Sequence, residues 1–150
     1  YDKEEQKRQF SISTSVVPVE FEDIKINFLD TPGYFDFVGE VEEACHAAGA
    51  AVIVINGKSG VEVGTLKAWE LCEKYKLPRL FFVTGMDDDQ ASYRKIVLEL
   101  NDRFGRKVAP FHVPIRENEK LVGYVNVIKN AAKVRRLCKC CKDEGPPFYQ

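Results

Sequence analysis

Apolar and polar positions alternate along the chain from Ile12 onward. Val17, Val19 and Phe21 stand between polar or proline positions, Glu22-Asp23 makes a tight turn, and Ile24, Ile26 and Phe28 alternate again. Two such runs around a short polar turn predict an antiparallel hairpin. Pro18 cannot donate to a strand ladder, so the first strand belongs at or near an edge. Residues 1–9 are polar and predict a flexible arm or loop.

Beyond the hairpin the period changes. Phe37, Val38, Val41, Ala44, Cys45 and Ala48 recur at helical spacing and predict a helix over 36–48. Ala51-Val-Ile-Val-Ile55 is a continuous apolar run, the pattern of a strand buried on both faces. Val63, Leu66, Trp69, Leu71 and Cys72 mark a second helix ending near Lys76, with Trp69 on its core-facing side. Pro78 leads into Leu80-Phe-Phe-Val83, a third buried strand. A third helix runs from about Ala91 to Phe104 and is stopped by Gly105. Val108, Phe111, Val113 and Ile115 predict another strand, and 122–128 a further one. Strands alternating with helices over short joins indicate an α/β domain with a mainly parallel sheet and one antiparallel hairpin at its edge. The domain is expected over 1–129. Residues 130–150, with Lys133, Arg135, Arg136, Lys139 and Lys142, read as a flexible basic tail.

Bulk properties narrow the function classes. The 150 residues fit one domain with a real core. A net charge of −1 gives no field to steer the chain onto DNA, RNA or an anionic membrane. No apolar run approaches the ~20 residues needed to span a bilayer. The five cysteines are an odd number without a disulfide framework, which fits a reducing cytoplasm. The chain does not open on Met and reads as an excised piece.

Ligands of open α/β sheets bind outside the carboxyl ends of strands. Two predicted strands end in Asp-bearing turns there. In the first, Asp30-Thr31-Pro32-Gly33, a carboxylate at a strand tip can hold Mg²⁺ beside a phosphate, and Gly33 leaves its N–H open to one. The same four residues also make an ordinary turn. In the second, Thr84-Gly85-Met86-Asp87, Asp87 can accept two N–H groups of a guanine edge. Taken together, Asp87, Asp88 and Asp89 are better explained as acids favouring the N-terminus of the following helix. Cys138, Cys140 and Cys141 invite a zinc reading, but three thiols without a nearby His fall short of a tetrahedral set. His46 and His112 have no partner arrangement for catalysis.

Read in order, Lys7-Arg-Gln-Phe-Ser-Ile-Ser13, Asp30-Thr-Pro-Gly-Tyr-Phe-Asp-Phe37, Gly57-Lys-Ser-Gly-Val-Glu-Val-Gly64 and Phe82-Val-Thr-Gly-Met-Asp87 resemble successive landmarks of bacterial elongation factor G. Pro114-Ile115 and Gly123-Tyr-Val-Asn126 continue the match. The resemblance is nearest to the elongation-factor-G-like and ribosomal-protection branch. It runs from residue 1 to about residue 129, in the family's order and spacing. It implies a partial three-layer GTPase domain, with residues 1–15 as the first switch segment and Asp30 to about Ala48 as the second. It also implies that the whole protein binds GTP or GDP with Mg²⁺ and works on the ribosome. Asp30, Thr31, Pro32 and Gly33 then face phosphate, Ser11 and Asp30 serve the metal, and Thr84 to Asp87 face the base.

Three departures bound that transfer. No Gly-x-x-x-x-Gly-Lys-Ser/Thr phosphate loop occurs, and the residue five before Gly57 is Val52. The family's Asn-Lys-x-Asp is here Thr84-Gly85-Met86-Asp87, which keeps only the base-edge carboxylate. Tyr34 stands where hydrolytic members carry a water-orienting histidine, and a phenol lacks near-neutral titration. The chain alone is therefore expected not to bind or hydrolyse GTP. With the family's phosphate-loop strand missing, the strand ending at Leu29 and the strand 51–55 are expected to pair directly or to dimerise through their exposed edges. A degenerate, non-hydrolysing module that docks on the ribosome or another partner is the rival reading.

Overall fold

The computed structural model describes residues 2–105, 108–117 and 120–134. Its elements follow in the order α1 (Lys3–Arg8), β1 (Ser15–Phe21), β2 (Ile24–Asp30), a 3₁₀ turn (Phe35–Phe37), α2 (Val38–Ala47), β3 (Ala51–Asn56), α3 (Val63–Lys74), β4 (Arg79–Thr84), α4 (Tyr93–Phe104), β5 (His112–Glu117), β6 (Lys120–Asn126) and β7 (Ala131–Val134). The α/β class holds. Contacts divide the chain into two compact units, the described residues of 1–55 with 61–83 and those of 56–60 with 84–150.

In the first unit, β1 and β2 form the expected hairpin, with Glu22 at φ 53° in the tight turn. The register stacks Val17 on Phe28, Val19 on Ile26 and Phe21 on Ile24, so one face is a ladder of apolar cross-strand pairs. Strands β3 and β4 pair in parallel: Ala51 N–H donates to Pro78 O at 2.8 Å in this unit, and at the strand ends, within the second unit, Gly57 N–H donates to Thr84 O at 2.8 Å. The core here is Ile53, Cys72 and Leu77, with Cys45, Ala68, Trp69, Tyr75 and Phe81 packed around it. Trp69 stacks on Phe81 at 5.8 Å, and the Arg79 guanidinium, also paired with Glu73, lies over the same indole.

Four expectations change. Residues 3–8 are a helix rather than a loose arm, closed at its start by an Asp2–Glu5 capping box. β3 and β4 are not covered on both faces. Ile53 and Ile55 are buried, whereas Val54 is 60% and Phe82 56% exposed, with Val52 and Leu80 on the same open side. A continuous apolar run shows that a strand can be buried on both faces, but coverage depends on what packs there. β2 and β3 do not pair with each other but belong to separate two-stranded sheets. Finally, Ala131–Val134, at the start of the segment read as a tail, pairs with β6 as a strand.

In the second unit, α4 buries Ile96 and Leu100, with Ala91 buried just before the helix. β5, β6 and β7 form an antiparallel sheet in that order. Gly105, at φ 70°, follows α4 as expected. Among the described residues no helix is long and apolar enough to cross a membrane.

Candidate functional site

The turn at the tip of β2 is open on the side where a ligand would approach. Asp30 is the last residue of β2 and is exposed; Pro32 is buried and anchors the turn. A Cβ built on Gly33 would meet no atom within 4 Å, so the space beside its Cα is open, and its backbone N–H donates to no group among the described residues. Tyr34 follows, exposed, with its ring 4.6 Å from that of Phe10 and tilted by 52°. Thus the residue after Asp-Thr-Pro-Gly rests on the segment that resembles the first switch.

That segment is organised by Glu5, a residue the sequence reading passed over. Asp2 caps α1, and Glu5 reaches back to accept the Asp2 N–H at 2.8 Å, which makes a capping box. The other carboxylate oxygen accepts Ile12 N–H at 2.7 Å and Ser13 N–H at 3.1 Å. Three backbone donors, from Ile12, Ser13 and Asp2, hold this buried carboxyl down to about 2. The Asp-x-x-Glu spacing was visible in the sequence; the polarity of the stretch hid it. The hexamer is helical because its cap and its carboxylate close the loop behind it. Ser11, the candidate metal ligand, lies in this loop and lines a shallow cleft with Glu5, Gln6, Gln9 and Phe10. The segment's end is tied to α2: Thr14 N–H donates to Glu40 Oε2 at 2.7 Å, and its hydroxyl donates to the Glu40 carbonyl at 3.3 Å.

In the second unit, Thr84 closes β4 and Gly85 turns at φ 64°, a left-handed conformation suited to glycine. Asp88 N–H donates back to Gly85 O at 3.2 Å, which leaves Met86 and Asp87 at the centre of the turn. Asp87 is exposed, and its carboxylate bonds no other group among the described residues. Arg116 of β5 donates through one guanidinium nitrogen to Met86 O at 2.6 Å and Asp88 O at 3.1 Å. Nothing in the sequence marked Arg116, because the two partners are thirty residues apart along the chain. The aspartates do not cap α4. Ser92 does, accepting Lys95 N–H at 3.4 Å, and Asp88 instead accepts Gln90 N–H within its own turn. The helix starts too late for Asp87 or Asp89 to reach its first amides.

The loop Gly57-Lys58-Ser59-Gly60 has the composition of a phosphate cradle without its geometry. Asn56 Oδ1 accepts Lys58 N–H at 2.9 Å and Ser59 N–H at 3.3 Å, so these amides turn inward to a side chain. Gly57 is required by close packing: a Cβ there would lie 2.8 Å from Thr84 O and 3.1 Å from Met86 Sδ. The residues present therefore fit one wall of a Mg²⁺–phosphate site, at Asp30 and Gly33, and do not fit the backbone cradle that would enclose it.

No group of three or more His, Cys, Asp or Glu that could hold a metal ion occurs among the described residues. Cys138, Cys140 and Cys141 lie outside the described residues. Cys45 and Cys72 are free thiols, and burial pushes both up from their ordinary values. They are packing residues.

Comparison with known proteins finds relatives over most of the chain. The family model for the elongation factor Tu GTP binding domain matches residues 1–143. The elongation factor G-like protein of Thermotoga maritima is 35% identical over 132 residues, which is 88% of this chain and 19% of that protein. The mitochondrial ribosome-releasing factor 2 of Drosophila melanogaster is 36% identical over 148 residues, 99% of this chain and 20% of that protein. A crystal structure from Thermus thermophilus superposes with a TM-score of 0.84 at 34% identity, covering 91% of this chain and 20% of that one. The chain spans about a fifth of the length of the curated relatives it matches.

Proposed function

This chain belongs to the elongation factor Tu GTP-binding domain family, and from that premise we propose that it is the switch-bearing part of a GTP-dependent factor acting on the ribosome. The relatives that cover it carry the names elongation factor G-like protein and ribosome-releasing factor 2. In the whole protein, Asp30, Thr31, Pro32 and Gly33 face the phosphates, and Ser11 and Asp30 serve Mg²⁺. Asp87, with Thr84, Gly85 and Met86, faces the base. Tyr34 takes the position that orients the attacking water. The observation that carries this reading is the turn at the tip of β2, where an exposed carboxylate stands three residues from an exposed glycine with open space at its Cα and an N–H that donates to no described group. When bound, Mg²⁺ would neutralise phosphate charge; the chain's own residues position the anion and its water.

On this account the isolated 150 residues do not hold GTP through its phosphates and do not turn it over; the base-facing turn by itself gives at most a weak, millimolar contact. The only glycine-lysine-serine loop in the chain spends its amides on Asn56. The free edges of β2 and β3 and the open face at Val54 and Phe82 lead the isolated chain to associate with a second copy, which light scattering after size exclusion reads directly. The reduced thiols fit a cytoplasmic ribosome, while some relatives are mitochondrial by name; localisation of a tagged whole protein separates the two.

The rival module without turnover is favoured by Tyr34, a phenol in place of an imidazole, whose ring packs on Phe10. One experiment separates the readings. The chain is joined behind the phosphate-loop segment of the Thermotoga maritima relative, and GTP hydrolysis is followed with and without ribosomes. Ribosome-stimulated turnover supports the GTPase; GTP binding without turnover supports the module; neither binding nor turnover refutes both.

A further inference from the structure

Asp87 lies inside the turn that Asp88 N–H closes onto Gly85 O, and its exposed carboxylate bonds no group among the described residues. Asp88 bonds Gln90 N–H, and Asp89 lies past that closure. The turn lacks the side chains that usually stiffen a base-reading loop, with glycine at 85. Yet its backbone is fixed on both sides of Asp87. One nitrogen of Arg116 takes the carbonyl of Met86 before it and of Asp88 after it, at 2.6 and 3.1 Å. Asp88 N–H closes the turn onto Gly85 O, and Gly57 N–H pins Thr84 O at its base. A guanidinium suits this task because its N–H groups lie in a rigid plane and stay charged at every relevant pH.

We propose that Arg116 is the positioning residue of the base-facing turn, setting the direction of the Asp87 carboxylate and thereby its selectivity for a purine edge with two adjacent N–H donors. The β5–β7 sheet then does more than extend the fold: it supplies the residue that replaces local stiffness in the turn. The selectivity part rests on the base-facing reading given above, whereas the hold on the turn does not.

The test uses the ¹⁵N-labelled chain and two probes at millimolar concentration, guanosine 5′-monophosphate and adenosine 5′-monophosphate. In the wild type, the guanine nucleotide shifts the Asp87 and Asp88 amides and the adenine nucleotide does not. Arg116→Ala abolishes that difference while the Ile96 and Leu100 amides keep their positions. It also speeds hydrogen exchange at the Asp88 amide by about tenfold, the scale of losing charge-assisted bonds. Arg116→Lys, which keeps a charged donor on a flexible stem, falls between the two; it also serves if the alanine variant fails to fold. Wild-type selectivity and wild-type exchange at Asp88 in a folded Arg116→Ala chain would overturn the proposal. If the wild type shows no base-dependent shift, the base-facing reading and the selectivity part fall together. Exchange at Asp88 then decides the hold: faster exchange in the variant upholds it, and unchanged exchange removes it.

Discussion

Replacing Gly57 by alanine is the sharpest test of how the second unit builds its turn. The added Cβ would sit 2.8 Å from Thr84 O, 3.1 Å from Met86 Sδ and 3.2 Å from Ala91 Cβ, where ordinary contact begins at 3.4 Å. Met86 is flexible and can swing aside. Thr84 O is backbone, and it already accepts Gly57 N–H at 2.8 Å, so any retreat lengthens that bond. Overpacking of this kind costs about 1–3 kcal/mol, and a weakened hydrogen bond adds about 0.5–1.5 kcal/mol. Alanine's smaller unfolded-state entropy offsets about 0.4–1 kcal/mol. The net is a destabilisation of about 0.5–4 kcal/mol, at roughly 2–4 °C of melting temperature per kcal/mol for a chain of this size. Gly39→Ala is the control: it lies in α2 with nothing within 4 Å of its Cβ, so helix propensity raises stability by up to about 1 kcal/mol. Thermal unfolding followed by circular dichroism compares the two. If Gly57→Ala melts at or above the wild type, the close approach of this loop to Thr84 is wrong.

Two further outcomes follow from the first unit. Because the folded Glu5 carboxyl is depressed to about 2 from an ordinary 4.5, its contribution to stability is full above about pH 4.5 and is lost as pH falls through 2. Glu5→Gln should therefore flatten the acid limb of a stability profile and speed amide exchange at Ile12 and Ser13; an unchanged profile and unchanged exchange would discard the loop-closing role. Cys72 is buried and its thiol is pushed up by burial, then by Cys45, against a smaller opposing effect of Arg79. Alkylation at pH 8 with peptide mapping should leave Cys72 unmodified until the chain is unfolded, whereas rapid native labelling would mean that the Ile53–Cys72–Leu77 core is open.

Much of the framework was legible in periodicity alone. The hairpin around Glu22-Asp23, the β3 and β4 runs and the helices ending near Lys76 and at Gly105 follow from alternation, helical spacing and stop signals. The Asp30–Gly33 turn was legible as well, and the structure adds that Gly33 faces open space. What escaped has a common cause. α1 has no apolar stripe, so only its Asp2–Glu5 capping box could reveal it. Ser92 displaced the three aspartates as cap because the chain makes one more turn before entering α4. Arg116 and Glu40 act on residues about thirty and twenty-six positions away, and no local pattern records such contacts. The open side of β3 and β4 escaped because a strand's sequence reports its hydrophobicity and not its cover.

The account turns on a nucleotide site with one wall present and its phosphate cradle absent. Calorimetric titration of GTP with Mg²⁺ into this 150-residue chain, and into the same chain joined behind a relative's phosphate-loop segment, tests it most directly. The account predicts no Mg²⁺-dependent binding heat for the chain alone and Mg²⁺-dependent binding once the segment is restored. Tight, Mg²⁺-dependent binding by the chain alone would contradict it, as would no binding by the joined protein.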